Sequence, residues 1–443
     1  MKKIVTAALC AMAIVPGSFL RGFSQDAGSK EKPFGVNFTG YVNCDVFFDS
    51  RQTVMSREGQ FLFYPEKKSL DANGQDINAK GTFNILSIQS RLTANITGPD
   101  ILKAQTSGVI EGEFYGNINP NINTFRLRLA YMKLKWKSTE LSLGQNWHPM
   151  YVPGCMPEVA SLNSGAPFLV FSRNPQVRIA QDFGKIRFQL AAISQLDGTS
   201  NGPDGPSAKY LRNSLLPELN VLVQFSSKNE KENREFTAGA SIDYFMLTPR
   251  LCTEVILKPA VDTVINSIVN HQDAVVATYK TDEKSYGLTG YIYAKMMLPK
   301  VTLRLGGVYG TDCYAFNMLG GYAVKSIIDT ATGAMDYTPV RTASAWIDVK
   351  TNGKHWQPGL FAGFSKNLGA DAEVAGPLYT RGCDIDYLYR ISPRVTVRVS
   401  KLRLSTELEY TVAAYGTTDS KARVTNAKEI GNWRLLMGVY YYF

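Results

Sequence analysis

Arg126 and Arg128 stand two residues apart in the run Phe125-Arg-Leu-Arg-Leu-Ala-Tyr131. A period of two puts both guanidinium groups on one face of a strand and Phe125, Leu127 and Leu129 on the other. The same alternation gives Arg91, Lys103, Arg178, Arg187, Arg304 and Arg403 as further polar-face cations, with Glu111, Glu113, Glu407 and Glu409 as acids. Opposed rows of cations and carboxylates create a transverse field that orients a charged solute, and rings of charge set selectivity. The chemistry these residues offer is recognition of a small charged molecule, with no bond made or broken. A plainer alternative is that they form salt bridges stiffening a wall, each worth little.

Covalent catalysis finds little support. Only His148, His271 and His355 offer imidazole bases, and no G-x-S-x-G nucleophile motif occurs. The chain is therefore not expected to be an enzyme. After removal of a leader, the cysteines are Cys44, Cys155, Cys252, Cys313 and Cys383, odd in number and widely spaced. They form no paired framework, and no C-x-x-C or Cys/His cluster suggests zinc. Phosphate-loop and dinucleotide fingerprints are missing, so no cofactor or metal is expected.

The elements that must position the charged rows are strands. From Trp433 to the terminal Phe443, every second residue (Trp433, Leu435, Met437, Val439, Tyr441, Phe443) is large and apolar. The pattern recurs upstream: Phe38, Val42, Cys44, Val46 and Phe48 oppose Asn37, Thr39, Tyr41, Asn43 and Asp45. About sixteen such segments fit between residues 35 and 443, with fourteen or eighteen as neighbouring possibilities. Connections alternate in length. Long ones at 50–80, 149–173, 197–216, 248–284, 312–341, 368–386 and 416–428 are interleaved with short ones such as Gly184-Lys185, Leu298-Pro299 and Lys401. That parity predicts an all-β transmembrane antiparallel barrel with tight periplasmic turns, long extracellular loops and both termini in the periplasm. Closure satisfies every backbone group internally, as hydrocarbon demands, and about sixteen strands enclose an aqueous lumen.

Within this frame the Pro-rich loop 149–173, apolar at Phe168–Phe171, is the candidate constriction, either folded inward or standing outside as a cap. Phe34, Phe47, Trp136, Trp147, Trp356, Trp433 and Tyr441 are candidates for interfacial girdles. Pro393 interrupts the strand expected at 387–400, and Ala260–Asn270 is a candidate short helix.

Residues 1–24 read as a secretory signal peptide, with Lys2 and Lys3, an apolar core from Ile4 to Val15, and small residues before Gln25. Residues 25–34 form a short periplasmic leader and 35–443 the barrel. With 48 Lys+Arg against 38 Asp+Glu the chain is basic at +10. Export argues against nucleic acid as the partner, and an interior attracting anions fits better. The implied partners are outer-membrane lipid and small anionic solutes. The competing function is a surface adhesin or structural barrel whose lumen is plugged.

The runs Glu111-Gly-Glu-Phe-Tyr-Gly116, Phe125-Arg-Leu-Arg-Leu-Ala-Tyr131 and Leu143-Gly-Gln-Asn-Trp-His148 together resemble the DcaP-like outer-membrane porins. The resemblance is clearest over residues 105–180. It implies a sixteen-stranded, homotrimeric porin of the outer membrane, inserted by the barrel-assembly machinery. It also implies passage of small anionic solutes such as dicarboxylates, with Arg126 and Arg128 facing the channel. This chain differs from some members in having no long helical segment before the first strand, and in carrying His148 where Ser is usual.

Overall fold

The computed structural model describes residues 34–116, 118–265 and 268–443. The expected signal peptide and all of the leader but Phe34 lie outside the described residues.

Strands form wherever the period-two pattern runs. They are β1 Gly35–Asp49, β2 in two parts (Thr82–Leu86 and Arg91–Thr97), β3 Gln105–Glu113, and β4 Arg126–Lys135. Next come β5 Thr139–Trp147, β6 Arg173–Phe183, β7 Ile186–Ile193 and β8 Glu218–Asn229. The second half comprises β9 Arg234–Leu247, β10 Ser285–Met297, β11 Val301–Thr311 and β12 Ala334–Thr351. The last four are β13 Trp356–Ala370, β14 Ile385–Val399, β15 Leu402–Thr418 and β16 Val424–Tyr442. Each pairs antiparallel with the next, and β16 returns to β1 in the register Tyr41↔Tyr442 to Asp49↔Arg434. The result is a closed sixteen-stranded antiparallel barrel. The expected sixteen segments all appear.

Burial runs opposite to that of a soluble protein. Val42, Phe48, Ile242, Leu288, Ile292 and Leu435 are exposed on the outer face. Asn43, Asp45, Asp49, Asn220, Asp243 and Arg434 are buried inside. Such an outside is compatible with hydrocarbon, where apolar side chains cost nothing and a closed ladder leaves no orphan N–H. No described helix is long and apolar enough to cross a membrane.

Several local expectations are revised. The expected loop 416–428 shrinks to a turn at 419–423, because β15 and β16 extend past the wall as a paired ribbon. The β12 strand, expected to be short, runs from Ala334, and its first half pairs with Gly320–Asp329. Pro393 does lie in β14. It pairs with Leu360, but toward β15 the ladder skips from Ile391↔Tyr410 to Arg394↔Glu407, where proline lacks a donor. Instead of a helix, Val261–Ile265 pairs with Ile268–Gln272. At Gly306 the pairing is regular and a Cβ would sit 2.8 Å from the Trp346 indole, so glycine makes room for an inward ring. Phe47 and Trp147 leave the girdle set. Phe47 is buried against the Arg434 guanidinium, and Trp147 stacks on Tyr151, whereas Phe34, Trp356, Trp433 and Tyr441 are exposed.

If the outer face meets lipid, a cation placed there is costly in proportion to depth. Ile292, 62 % exposed in the middle of β10, is predicted to lose about 2–4 kcal/mol on Ile292→Arg. Urea titration of folding into phospholipid vesicles measures this loss. The same change on an exposed residue of the 230–233 turn is expected to be nearly neutral.

Candidate solute-binding site

Two long connections turn into the barrel. In the first, Thr53–Ser56 and Phe61–Pro65 form a hairpin whose Phe61, Leu62, Phe63 and Tyr64 are buried. The second is the loop between β5 and β6, residues 148–172, in which Met150, Cys155, Met156, Leu162, Phe168, Leu169 and Val170 are buried. These side chains join one apolar cluster with lumen-facing Tyr291, Tyr293, Trp346 and Phe361.

The loop is held to the wall of β11–β15. Glu158 pairs with Arg304 and, at 2.5 Å, with Lys350, while its amide donates to Asp348 Oδ2 at 3.2 Å. Glu407 accepts from the amides of Ala160 and Ser161. Ser344 Oγ donates to the Phe168 carbonyl at 2.8 Å, and Arg390 Nη1 to that of Ala166 at 2.9 Å. Arg390 also donates to the carbonyls of Leu62 and Phe63, so one guanidinium pins both inward segments. Burial raises the Glu158 carboxyl, but Arg304 and Lys350 outweigh it and hold the group down at about 2.

The wall of β1–β7 lies on the far side. Glu113 of β3 is its centre: Arg91 Nη2 donates at 3.0 Å, Arg126 Nη2 at 2.9 Å, and Arg128 Nη1 also binds. Arg128 Nε reaches Glu111 at 3.0 Å. Arg126 Nη1 and Arg173 Nη2 then share Asp197, at 3.2 and 2.9 Å. Burial raises Asp197, yet Arg173 and Arg126 keep it below the usual carboxylate range. Arg57, from the inward hairpin, lies 5.2 Å from the Tyr115 ring centroid, and Arg126 lies 4.8 Å from it. Five guanidinium groups (Arg57, Arg91, Arg126, Arg128, Arg173) thus meet three carboxylates (Glu111, Glu113, Asp197), leaving net positive charge. Arg57, Arg126 and Arg173 border a cavity of about 120 Å³ together with Phe61, Tyr115 and Phe171.

The predicted charged residues therefore divide. Arg91, Glu111, Glu113, Arg126 and Arg128 come together in this cluster. Arg178 and Arg187 lie lower on the same wall: Arg178 donates to Gln176 and the Trp147 carbonyl, and Arg187 pairs with Glu140 at 3.1 Å and Asp182 at 3.6 Å. Arg304 and Glu407 anchor the loop, and Glu409 sits 3.7 Å from Arg390. Arg403 stacks at 5.1 Å on Tyr440. Lys103 does not join the wall. It occupies the exposed turn between β2 and β3 at φ +61°, because the strand begins only at Gln105. Arg57, Arg173 and Asp197 were missed. The first and last lie in long connections, which carry no period-two signal, and Arg173 falls at the edge of its strand.

Comparisons with known proteins place this geometry. No family model and no curated protein matches the chain. Among solved structures it resembles the outer-membrane channel DcaP of Acinetobacter baumannii: TM-score 0.63, 13 % identity, covering 93 % of this chain and 97 % of that one. The fold is that of DcaP. A loop L8 deletion mutant of OmpT, an outer-membrane protein of Vibrio cholerae, matches at TM-score 0.51 and 10 % identity over 93 % and 100 %. OmpT in a trimer form matches at 0.51 and 9 % over the same shares. The DcaP-like character suggested by the three short runs thus extends through the barrel as a shared architecture.

Because Glu158 is held at about 2 against 4.5 unperturbed, its contribution to loop anchoring is complete above about 4.5 and is lost as pH falls through about 2. Pepsin cleavage between Phe168 and Leu169 is expected to stay slow down to about pH 3 and to rise steeply near 2. Glu158→Gln is expected to be cleaved across that whole range. Equal resistance of the two proteins would show that the ion pairs do not hold the loop.

Proposed function

We propose that this protein is an outer-membrane porin through which small anionic, hydrophilic solutes diffuse passively. The observation that carries this reading is the surplus of guanidinium groups on the β1–β7 wall. The inward loop occupies the opposite wall and satisfies its charges there. A solute carboxylate can then exchange onto Arg57, Arg126 or Arg173 beside the cavity, move to Arg91 and descend past Arg178 and Arg187. Each step trades one charge-assisted hydrogen bond for another, which keeps the barrier low. The inward 148–172 loop acts as the constriction, and the twelve residues singled out from the sequence divide into a conducting wall and loop anchors, with Lys103 and Arg403 outside both.

The same reading places the short turns and both termini in the periplasm and the long connections outside, with outer-membrane lipid around the apolar band. A homotrimer and insertion by the barrel-assembly machinery fit a barrel of this kind, and no nucleic acid or cofactor is called for.

A second reading, a surface-exposed or structural barrel with a plugged lumen, is favoured by the buried apolar cluster that both inward segments build with the wall. Planar-bilayer recording separates the two. Open steps with a reversal potential on the anion side support the porin, whereas silence at high protein density supports the plug. Succinate is expected to block the current more than glucose or lysine. Arg126→Ala should raise its half-blocking concentration at least about tenfold, since a charge-assisted hydrogen bond is worth roughly 1.5–3 kcal/mol. A cation-selective pore would overturn the arginine-wall reading.

A further inference from the structure

His148, Glu218 and Asp243 are far apart in sequence and meet inside the barrel. His148 follows the end of β5, Glu218 opens β8 and Asp243 lies in β9. The imidazole Nε2 is 2.8 Å from Glu218 Oε1 and 3.3 Å from Asp243 Oδ1. One donor atom from each lies within 4.8 Å of the others, and all three residues are fully buried. Neighbouring amides complete part of the shell: Asn220 Nδ2 donates to Asp243 Oδ1 at 3.0 Å, and Gln195 Nε2 to Glu218 Oε2 at 3.4 Å. Asp243 Oδ2 is buried with no hydrogen-bond partner.

The charge balance is unusual. Among the described residues, no lysine or arginine pairs with Glu218 or Asp243; their ion-pair partner is His148. A further buried acid, Asp312 of the β11–β12 connection, likewise has a carboxylate oxygen with no hydrogen-bond partner. Buried carboxylates without a matching cation are expensive and must take up either protons or a cation.

We propose that His148 Nε2, Glu218 and Asp243 bind a divalent transition-metal ion of the zinc class, with Asp243 Oδ2 as a further donor. One imidazole nitrogen and two carboxylates are a donor set such an ion accepts. The site ties β8 and β9 to the root of the inward loop, so the ion's role is to pin that loop at its entry into the barrel. Binding has a cost. The Met150 amide donates to His148 Nδ1 at 3.2 Å, which leaves the ring proton on Nε2 between the carboxylates. A metal on Nε2 moves that proton to Nδ1 and gives up the Met150 bond. The inference does not depend on whether the barrel conducts.

The test uses the full-length barrel, refolded in detergent and stripped with a chelator, then titrated with Zn²⁺ and, as a control, Mg²⁺. The expected result is one tightly held Zn²⁺ per chain by calorimetry and elemental analysis, with no response to Mg²⁺. X-ray absorption should show nitrogen and oxygen neighbours without sulfur, which separates this site from the cysteines. Zn²⁺ should also raise the temperature at which the folded band is lost on gels. Asp243→Asn and Glu218→Gln should each abolish both effects, and heat-modifiable migration reports whether either variant has folded. Undiminished Zn²⁺ binding in a folded variant, or no stoichiometric binding by the parent barrel, would overturn the proposal and leave a cluster that shares protons.

Discussion

A peptide group in hydrocarbon has no water to bond, and an unpaired N–H or C=O there costs several kcal/mol. Every other feature of this chain depends on meeting that condition by closing the sheet. The seam is where closure is decided. Nine residues of β1, from Tyr41 to Asp49, pair with β16, and the seam is reinforced inside by Asp49. Its carboxylate takes two bonds from Arg434, at 2.9 and 2.6 Å, and one from Asn432 at 2.7 Å. A one-residue slip would turn this buried pair outward to lipid and bring Val42 and Leu435 inside, so side-chain alternation and seam register enforce each other.

Closure creates an interior that water cannot simply be assumed to fill. Two inward segments occupy part of it, and their attachment explains why so many charged groups tolerate burial. Arg390 bridges three carbonyls from both segments. Arg394 Nη2 lies 2.7 Å from Asp348 Oδ1, close but poorly aligned for a hydrogen bond. Breaking one member of such a network leaves a buried charge without its partner, which costs more than the pair contributes. On the opposite wall the cations outnumber the acids: Arg57, Arg91, Arg126, Arg128 and Arg173 gather around Glu111, Glu113 and Asp197.

How much was legible differs by level. The strands and their number could be read because side-chain period and loop parity are local signals, and Phe125–Tyr131 or Trp433–Phe443 carries its own face assignment. The ends were less legible: β15 and β16 run past the membrane wall because paired backbone, not apolar content, sustains them there. Lys103 was misplaced because a turn residue next to a strand can mimic its alternation. The aromatic residues Phe47 and Trp147 look like girdle positions in one dimension, yet each stacks on an inward arginine or tyrosine that only the fold brings near.

The amino-acid order alone determined that this chain is a barrel with one apolar and one polar face, since lipid and water select residues one position at a time. It also determined which cations and acids could face inward. Tertiary structure decided what those groups do. Loop 148–172 folds inward and takes Arg304 and Glu407 as anchors, whereas Arg57 and Asp197 arrive from distant connections to complete the arginine cluster. His148, just past β5, meets Glu218 of β8 and Asp243 of β9, three and four strands further round the wall. Such encounters depend on how strands curl and where loops enter, and Coulomb energies between groups tens of residues apart leave no trace in local pattern.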